Sequence, residues 1–177
     1  MTSEKVVHGL IMVYTGPGKG KTTAAVGQAL RMVGQGYKAY MIHFMKGRDY
    51  GEFLAFRKIT GITVEKAGRD EFVNKKNPEQ IDIDMAQKGL ISARKAIYSG
   101  VYDLVVLDEI NVAMDFNLVS VKDVLEIIKN KPVHVDIILT GRNAPKEIIE
   151  IADLVSEIKE IKHHYQSGVQ SRRGIEF

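Results

Sequence analysis

The chain has 177 residues, of which 45% are hydrophobic and 27% are charged, as is typical of one ordinary globular domain. It has no cysteine, which excludes disulfides, thiol nucleophiles and thiolate metal sites, and no apolar run approaches the roughly 20 residues of a membrane span. The net charge of +3 fits a small polyanionic ligand, and the Lys and Arg residues are too scattered to indicate a nucleic-acid surface.

Apolar runs alternate with helix-like segments along the whole chain. Residues 1–9 are a polar lead-in without the apolar centre of a signal peptide, so we expect a cytoplasmic protein. Asn77 and Ser120 are the predicted N-caps of the third and fourth helices, with Pro78 in the first position of the third. Strands are predicted at residues 10–15, 39–44, 62–64, 103–109, 135–140 and 154–158, and helices at 21–34, 50–58, 77–99, 121–129 and from 145 onward.

This alternation predicts a single α/β domain over residues 1–177, with a mostly parallel sheet and helices on both faces. Residues 68–76 are predicted to form a polar loop and residues 162–177 a C-terminal tail or flap. In such a sheet, ligands bind beyond the carboxyl ends of the strands. The polar segments that follow the strands are therefore the candidates for a functional site.

A phosphate-binding loop is predicted between the first strand and the first helix. The first glycine of the usual pattern is displaced, since Thr15 occupies its position. Glycines let backbone N–H groups turn toward an anion, and the following helix presents its unpaired N–H groups. A lysine adds positive charge, and Thr22 or Thr23 offers a hydroxyl to Mg²⁺. The predicted phosphate-binding residues are Gly16, Pro17, Gly18, Lys19, Gly20, Lys21, Thr22 and Thr23.

A second nucleotide motif is predicted where the fourth strand ends in Asp108 and Glu109. A carboxylate here would lie near Mg²⁺, opposite the phosphate-binding loop; alternatively, Glu109 acts as a general base for ATP hydrolysis. Arg142, after the fifth strand, and Arg31, on the first helix, are candidates for phosphate contacts or for surface salt bridges. Phe72 stands out because it lies in a polar loop.

No protein nucleophile is evident in the sequence. No Ser-His-Asp set is recognisable, and the spacing of His43, His163 and His164 matches no structural zinc pattern. His43 lies within an apolar strand, as core histidines do. If the chain is a transferase, the protein supplies positioning and charge, and the substrate brings the nucleophile.

These segments together resemble the P-loop-type ATP:cob(I)alamin (corrinoid) adenosyltransferases. The resemblance covers nearly the whole chain and includes the displaced loop glycine. It implies a RecA-like P-loop architecture, ATP and a reduced corrinoid as substrates, Mg²⁺ or Mn²⁺, an electron-donating reductase and a homodimer, without membrane or nucleic-acid partners. The matching stretches are residues 13–25, 44–47, 106–111, 139–145, 152–157, 162–163 and 174–177.

The family reaction has a Co(I) corrinoid attack the 5′ carbon of ATP, so that triphosphate leaves and adenosylcobalamin forms. ATP lies in the family's loop in the reverse of the usual sense. The resemblance implies that residues 16–23 hold the triphosphate and that Phe72 faces the corrin ring. It also implies that Thr22 and Glu109 help to place Mg²⁺. The implied catalytic set is Lys21, Thr22, Glu109 and Arg142, and the implied phosphate contacts are Arg31 and Arg142.

Two positions depart from the family pattern. Pro17 stands where Asn or Asp is common, which removes an N–H donor. Some members carry a Phe-x-Trp pair, whereas residues 72–74 here are Phe-Val-Asn and the chain has no Trp. Two other functions fit the loop: a phosphoryl-transfer enzyme or ATPase that releases ADP, and a nucleotide-dependent binding module. The latter predicts strongly salt-dependent DNA binding.

Overall fold

Six parallel strands form the centre of the computed structural model, which describes residues 8–176. Their order across the sheet is β3-β2-β4-β5-β1-β6, and every neighbouring pair is parallel. The predicted α/β fold with a mostly parallel sheet is thereby confirmed. The strands are β1 (Ile11–Thr15), β2 (Ala39–Phe44), β3 (Ile62–Ala67), β4 (Leu104–Asp108), β5 (Asp136–Thr140) and β6 (Leu154–Glu157).

Helices cover both faces of this sheet. Successive strand residues point to opposite faces, so Ile11 and Val13 join one core cluster and Met12 joins the other. Burial on both faces explains why the central strands read as continuous apolar runs. Within residues 8–176, no helix is both long and apolar enough to cross a membrane. The helices are α1 (Lys21–Gly34), α2 (Gly51–Phe56), α3 (Gln80–Tyr98), α4 (Ile110–Asp115), α5 (Val121–Lys129) and α6 (Lys146–Ile151), and His164–Ser167 form a 3-10 turn.

The predicted start of α3 is wrong. The helix begins at Gln80, and its N-cap is Glu79 rather than Asn77. The Glu79 side chain accepts a hydrogen bond from the third helical N–H, and the Asp82 carboxylate accepts one from the Glu79 N–H at 3.2 Å. This reciprocal capping box supplies partners to the unpaired N–H groups at the start of the helix. The cap therefore lies two residues after the predicted one.

Two other differences concern the sheet and its connections. β3 extends to Ala67, beyond its predicted end at residue 64. The six-residue helix α4 has no counterpart among the predicted elements. Glu109, in the left-handed conformation with φ of 61°, turns the chain from β4 directly into α4. By contrast, Ser120 caps α5 as predicted, since its side chain accepts the Asp123 N–H.

Candidate active site

The loop between β1 and α1 packs closely against the chain that follows β6. The Gly18 N–H donates to the Ile158 carbonyl at 2.7 Å. A Cβ atom at Gly16 would lie 2.5 Å from that same oxygen, and Gly16 also has a φ of 97°. A side chain larger than hydrogen is therefore excluded at Gly16.

Lys21 points back into the loop from the first turn of α1. Its Nζ donates to the carbonyl oxygens of Gly16 at 2.8 Å and Gly18 at 2.6 Å. The side chain is buried, and this burial lowers the pKa of the ammonium group, against the opposing effect of Glu109. The first N–H groups of α1 have no acceptor within the helix, so they and Lys21 offer donors to an anion at the same place.

A cavity of about 750 Å³ lies over this loop, within the usual size range of small-molecule sites. It brings together the predicted residues Lys21, Thr22, Glu109 and Arg142, which lie far apart in the sequence. Four Lys and Arg side chains line it, against three Glu side chains, and two of these cations, Lys19 and Lys21, lie within the loop where a polyanion would bind. The lining residues are Pro17, Gly18, Lys19, Gly20, Lys21, Thr22, Thr23, Val26, Lys46, Tyr50, Gly51, Glu52, Glu109, Val112, Arg142, His163, Gly174, Ile175 and Glu176.

Asp108, fully buried at the end of β4, is the centre of a polar network beneath the cavity. Its Oδ1 accepts hydrogen bonds from Thr22 at 2.8 Å and Thr140 at 2.7 Å. Its Oδ2 lies 2.8 Å from both Lys46 Nζ and His43 Nδ1. Four partners use the lone pairs of this carboxylate. Asp108 therefore orients its neighbours instead of offering a free oxygen to a ligand.

The protonation of this network follows from its contacts. Burial alone raises the pKa of Asp108, but the charge of Lys46 and the hydrogen bond from His43 hold that pKa well below its usual range. An ionised carboxylate can only accept hydrogen bonds, so His43 Nδ1 carries the proton. The Thr22 hydroxyl likewise gives its proton to Asp108, and its oxygen accepts a hydrogen bond from Lys46 Nζ at 3.3 Å, which leaves one lone pair for another group.

Glu109 differs from Asp108 in its partners and in the direction of its pKa shift. Within residues 8–176, its carboxylate takes part in no hydrogen bond or ion pair, and it lines the cavity. Its backbone N–H donates to the Thr140 hydroxyl at 2.9 Å. Burial, and then the charge of Asp108, raises the pKa of Glu109, and Lys46 offsets part of this effect. Of the two acids at the end of β4, Glu109 is thus the one available to a ligand.

A second cavity of about 350 Å³ adjoins the first, and Lys46, Tyr50, Glu109 and Val112 line both. Phe72, in the predicted polar loop, is fully exposed at its edge. The other residues that line it are Met45, Gly47, Arg48, Arg69, Asp70, Glu71, Val73 and Phe116.

The loop that carries Phe72 is fastened at its start by Arg69. The Arg69 guanidinium lies 2.7 Å from the carboxylates of both Asp82 and Glu79, the two residues of the α3 capping box. One arginine therefore joins the second cavity to the start of α3.

Of two further predicted features, Arg31 and the C-terminal tail, only the tail borders the site. Arg31 is exposed on α1 and does not line either cavity; its charge opposes the effect of burial, which raises the pKa of Tyr14. The C-terminal tail, by contrast, lines the first cavity with His163 and residues 174–176. Lys19 Nζ donates to the Ile175 carbonyl at 2.8 Å.

Sequence reasoning missed the roles of Lys46 and Tyr50 and the split between Asp108 and Glu109. A signal for Lys46 was present, because it follows β2 at the carboxyl edge of the sheet. No local signal distinguishes two adjacent acids when one is buried and the other is free.

Comparisons with known proteins agree with the predicted family. The model of the family described as ATP:corrinoid adenosyltransferase BtuR/CobO/CobP matches residues 7–177. A corrinoid adenosyltransferase from Sinorhizobium sp is 34% identical, covering 99% of this chain and 82% of the relative. One from Escherichia coli K12 is 31% identical, covering 96% and 86%.

The solved structure of a KaiC-like protein from Pyrococcus horikoshii has a TM-score of 0.54 at 15% identity, covering 88% of this chain and 74% of that one. That likeness shows the fold, a RecA-like P-loop architecture. Because the family model matches residues 7–177 of the chain, the chain belongs to the ATP:corrinoid adenosyltransferase family.

Proposed function

We propose that this protein transfers the 5′-deoxyadenosyl group of ATP to the cobalt of a reduced corrinoid and releases triphosphate. The observation that carries the proposal is the pair of adjoining cavities. One lies over the phosphate-binding loop, the other is bordered by Phe72, and they share Lys46, Tyr50, Glu109 and Val112. A nucleotide in the first cavity and a second substrate in the other would meet at these four residues.

This arrangement supports one orientation of ATP in the loop. Since the reacting 5′ carbon must meet the corrinoid, it belongs at the shared wall, near Lys46 and Glu109. The triphosphate then runs along residues 16–23 and away from the second cavity, toward Lys19 and the C-terminal tail. A kinase or ATPase would instead direct the terminal phosphate toward its acceptor.

The proposed reaction needs no nucleophile from the protein. Co(I) supplies the electron pair that forms the cobalt–carbon bond, the bond from C5′ to oxygen breaks, and its electrons leave with triphosphate. Cobalt is formally oxidised to Co(III), and an electron-donating reductase restores Co(I) from Co(II) before the reaction. Lys21, Lys46 and Arg142 stabilise the charge that develops on the leaving oxygen. The family resemblance also supports a homodimer.

The residues present fit Mg²⁺ as the metal that accompanies ATP. The Thr22 hydroxyl donates its proton to Asp108 and accepts a hydrogen bond from Lys46 Nζ at 3.3 Å, so one lone pair of its oxygen remains for a cation. The Glu109 carboxylate has no protein partner within residues 8–176. Magnesium is commonly held by one or two side chains together with substrate phosphates and water. Bound by Thr22 and Glu109, it would neutralise part of the triphosphate charge.

A single reaction mixture separates the proposed function from its alternative. The full chain is incubated anaerobically with ATP, Mg²⁺ and chemically reduced cobalamin, and the light-sensitive cobalt–carbon product is followed by absorbance. We expect adenosylated corrinoid and inorganic triphosphate in equal amounts, the latter identified by phosphorus NMR. Release of ADP without the cobalt–carbon product would instead support phosphoryl transfer or ATP hydrolysis.

Glu109→Gln is expected to weaken the metal site while making the folded protein more stable at pH 8. The pKa of Glu109 is raised in the folded state, so its contribution to stability is complete below the unfolded pKa and is lost as the pH rises through the folded pKa. Gln avoids that loss, and the difference in Tm between the variants shrinks toward pH 4.

The magnesium concentration for half-maximal activity of this variant is expected to rise at least about tenfold. Glu147→Gln, at an exposed position of α6, serves as the matched control. An unaltered magnesium requirement in Glu109→Gln would remove Glu109 from the metal site.

A further inference from the structure

Asp115, at the end of α4, joins two loops that border different cavities. Its two carboxylate oxygens accept hydrogen bonds from Lys75 Nζ at 2.8 and 2.7 Å. One of them also accepts the Asn143 side-chain N–H at 2.9 Å. Lys75 lies in the loop of Phe72, and Asn143 directly follows Arg142. One carboxylate therefore links the loop at the second cavity to the loop at the first.

Asp115 is more constrained than a usual surface ion pair, which contributes little to stability. Its side chain is 20% exposed, and the hydrogen bonds from Lys75 and then Asn143 lower the pKa of its carboxyl group. Asn143 has a left-handed backbone with φ of 56°, a conformation that is uncommon for residues other than glycine and in which asparagine is enriched. Lys75 Nζ also lies 5.6 Å from the ring centroid of Phe116, which lines the second cavity.

Asp115 itself does not line either cavity, so any effect on substrates acts through its partners. A nucleotide that contacts Arg142 restricts the loop of Asn143. A corrinoid that contacts Phe72 restricts the loop of Lys75. Because the two loops share one acceptor, ordering of one lowers the conformational cost of ordering the other.

We propose that Asp115 is a positioning residue that couples the two substrate sites, so that bound ATP raises the affinity for the corrinoid and bound corrinoid raises the affinity for ATP by the same factor. The identity of the two ligands rests on the proposed function. The coupling itself rests on the hydrogen bonds of Lys75 and Asn143 to one carboxylate.

The test measures the dissociation constant of hydroxocobalamin for the full chain, with and without saturating ATP and Mg²⁺. No reductant is present, so no Co(I) forms and no transfer occurs. For the unaltered protein we expect ATP to tighten hydroxocobalamin binding at least about fivefold. In Asp115→Ala, this ratio is expected to fall to less than about twofold, and far-UV circular dichroism checks that the variant is folded.

Matched variants separate coupling from loss of a surface charge. Asp84→Ala removes an exposed carboxylate on α3 whose one hydrogen-bond donor, in the part of the chain that the structure describes, is the Gln80 side chain, and the ratio should stay at the unaltered value. Lys75→Met and Asn143→Ala should each lower the ratio. When both substitutions are combined, adding Asp115→Ala should not lower the ratio any further. These two variants also carry the test if Asp115→Ala fails to fold.

The result that overturns the coupling is a ratio near one in the unaltered protein, or an unaltered ratio in folded Asp115→Ala or in both partner variants. Either result leaves the product assay for adenosylated corrinoid and triphosphate unaffected. Failure of that assay, with ADP as product, would instead contradict the proposed function. The two failures are therefore distinguishable.

Discussion

Lys21→Ala is expected to lower the rate of adenosyl transfer by about 100- to 1000-fold, the usual cost of losing one donor to developing charge. In the structure its Nζ is held by the carbonyl oxygens of Gly16 and Gly18, at the centre of the phosphate-binding loop. Triphosphate oxygens bound there would replace these carbonyl oxygens as acceptors of the Lys21 ammonium group. Without it, the leaving oxygen loses a positive charge in a partly enclosed site, where charges are weakly screened.

The fold of this variant should remain intact. Both side-chain hydrogen bonds of Lys21 go to the loop itself, and Ala is the strongest helix former in the first turn of α1. Far-UV circular dichroism and Tm check this point. Lys58→Ala, at an exposed position after α2, is the control for simple loss of a lysine. Turnover equal to the unaltered rate in folded Lys21→Ala would exclude the loop from the chemistry.

Inorganic tripolyphosphate provides a second readout that needs no corrinoid. Its affinity should fall in Lys21→Ala, and less so in Lys19→Ala, because the charge of the exposed Lys19 is screened by water more than that of the buried Lys21. Equal losses in the two variants would mean that the loop acts only as a general patch of positive charge.

Elements with an unambiguous local signal were predicted closely. β2 is a continuous apolar run, and α5 has a serine cap whose hydrogen bond the structure contains. The predicted start of α3 is wrong because two possible N-caps, Asn77 and Glu79, lie within three residues. Asn77-Pro78 fits the statistical pattern, but Arg69 pairs with Glu79 and Asp82 and favours the later cap. α4, with six residues, is too short for a 3.6-residue period to be recognised.

The site was predictable to the extent that it follows from parallel strands. The loop after β1, Glu109 and Arg142 all follow strand ends, so a common edge brings them into one cavity. The contact of His43 and Lys46 with Asp108 depends on β2 lying beside β4. The local sequence pattern predicts the strands but not their order in the sheet. The specific roles of Lys21, Thr22 and the other site residues stay predictions.

Asp108→Ala is expected to lower the free energy of unfolding by about 3–5 kcal/mol, as loss of one partner from a buried ion pair does. His43 and Lys46 lose their acceptor on one side, and Thr22 and Thr140 on the other. His43 is completely buried, and its Nε2 has no hydrogen-bond partner within residues 8–176, so no other contact compensates. Urea unfolding at pH 7 measures the difference.

The pH dependence of this loss identifies its cause. Burial raises the pKa of Asp108, yet Lys46 and His43 depress it overall, so the stabilisation is complete above the unfolded value of about 3.9 and is lost as the pH falls below it. The difference between the unaltered protein and Asp108→Ala should therefore be constant from pH 7 to 5 and shrink below about pH 4. A constant difference throughout would indicate lost packing instead of a lost charge network.

Asp108→Asn tests the same network without leaving a cavity. The amide keeps one acceptor oxygen but turns an NH₂ group toward either Lys46 or Thr22, so we expect a smaller loss, about 1–3 kcal/mol. Adding Lys46→Met removes the unpaired ammonium, and the double variant should be less destabilised than the sum of the single ones, by about 0.5–3 kcal/mol. Strict additivity would mean that Lys46 and Asp108 do not interact in solution. Asp108→Asn should also slow adenosyl transfer, because the acceptor that orients the Thr22 hydroxyl is weakened before any substrate arrives.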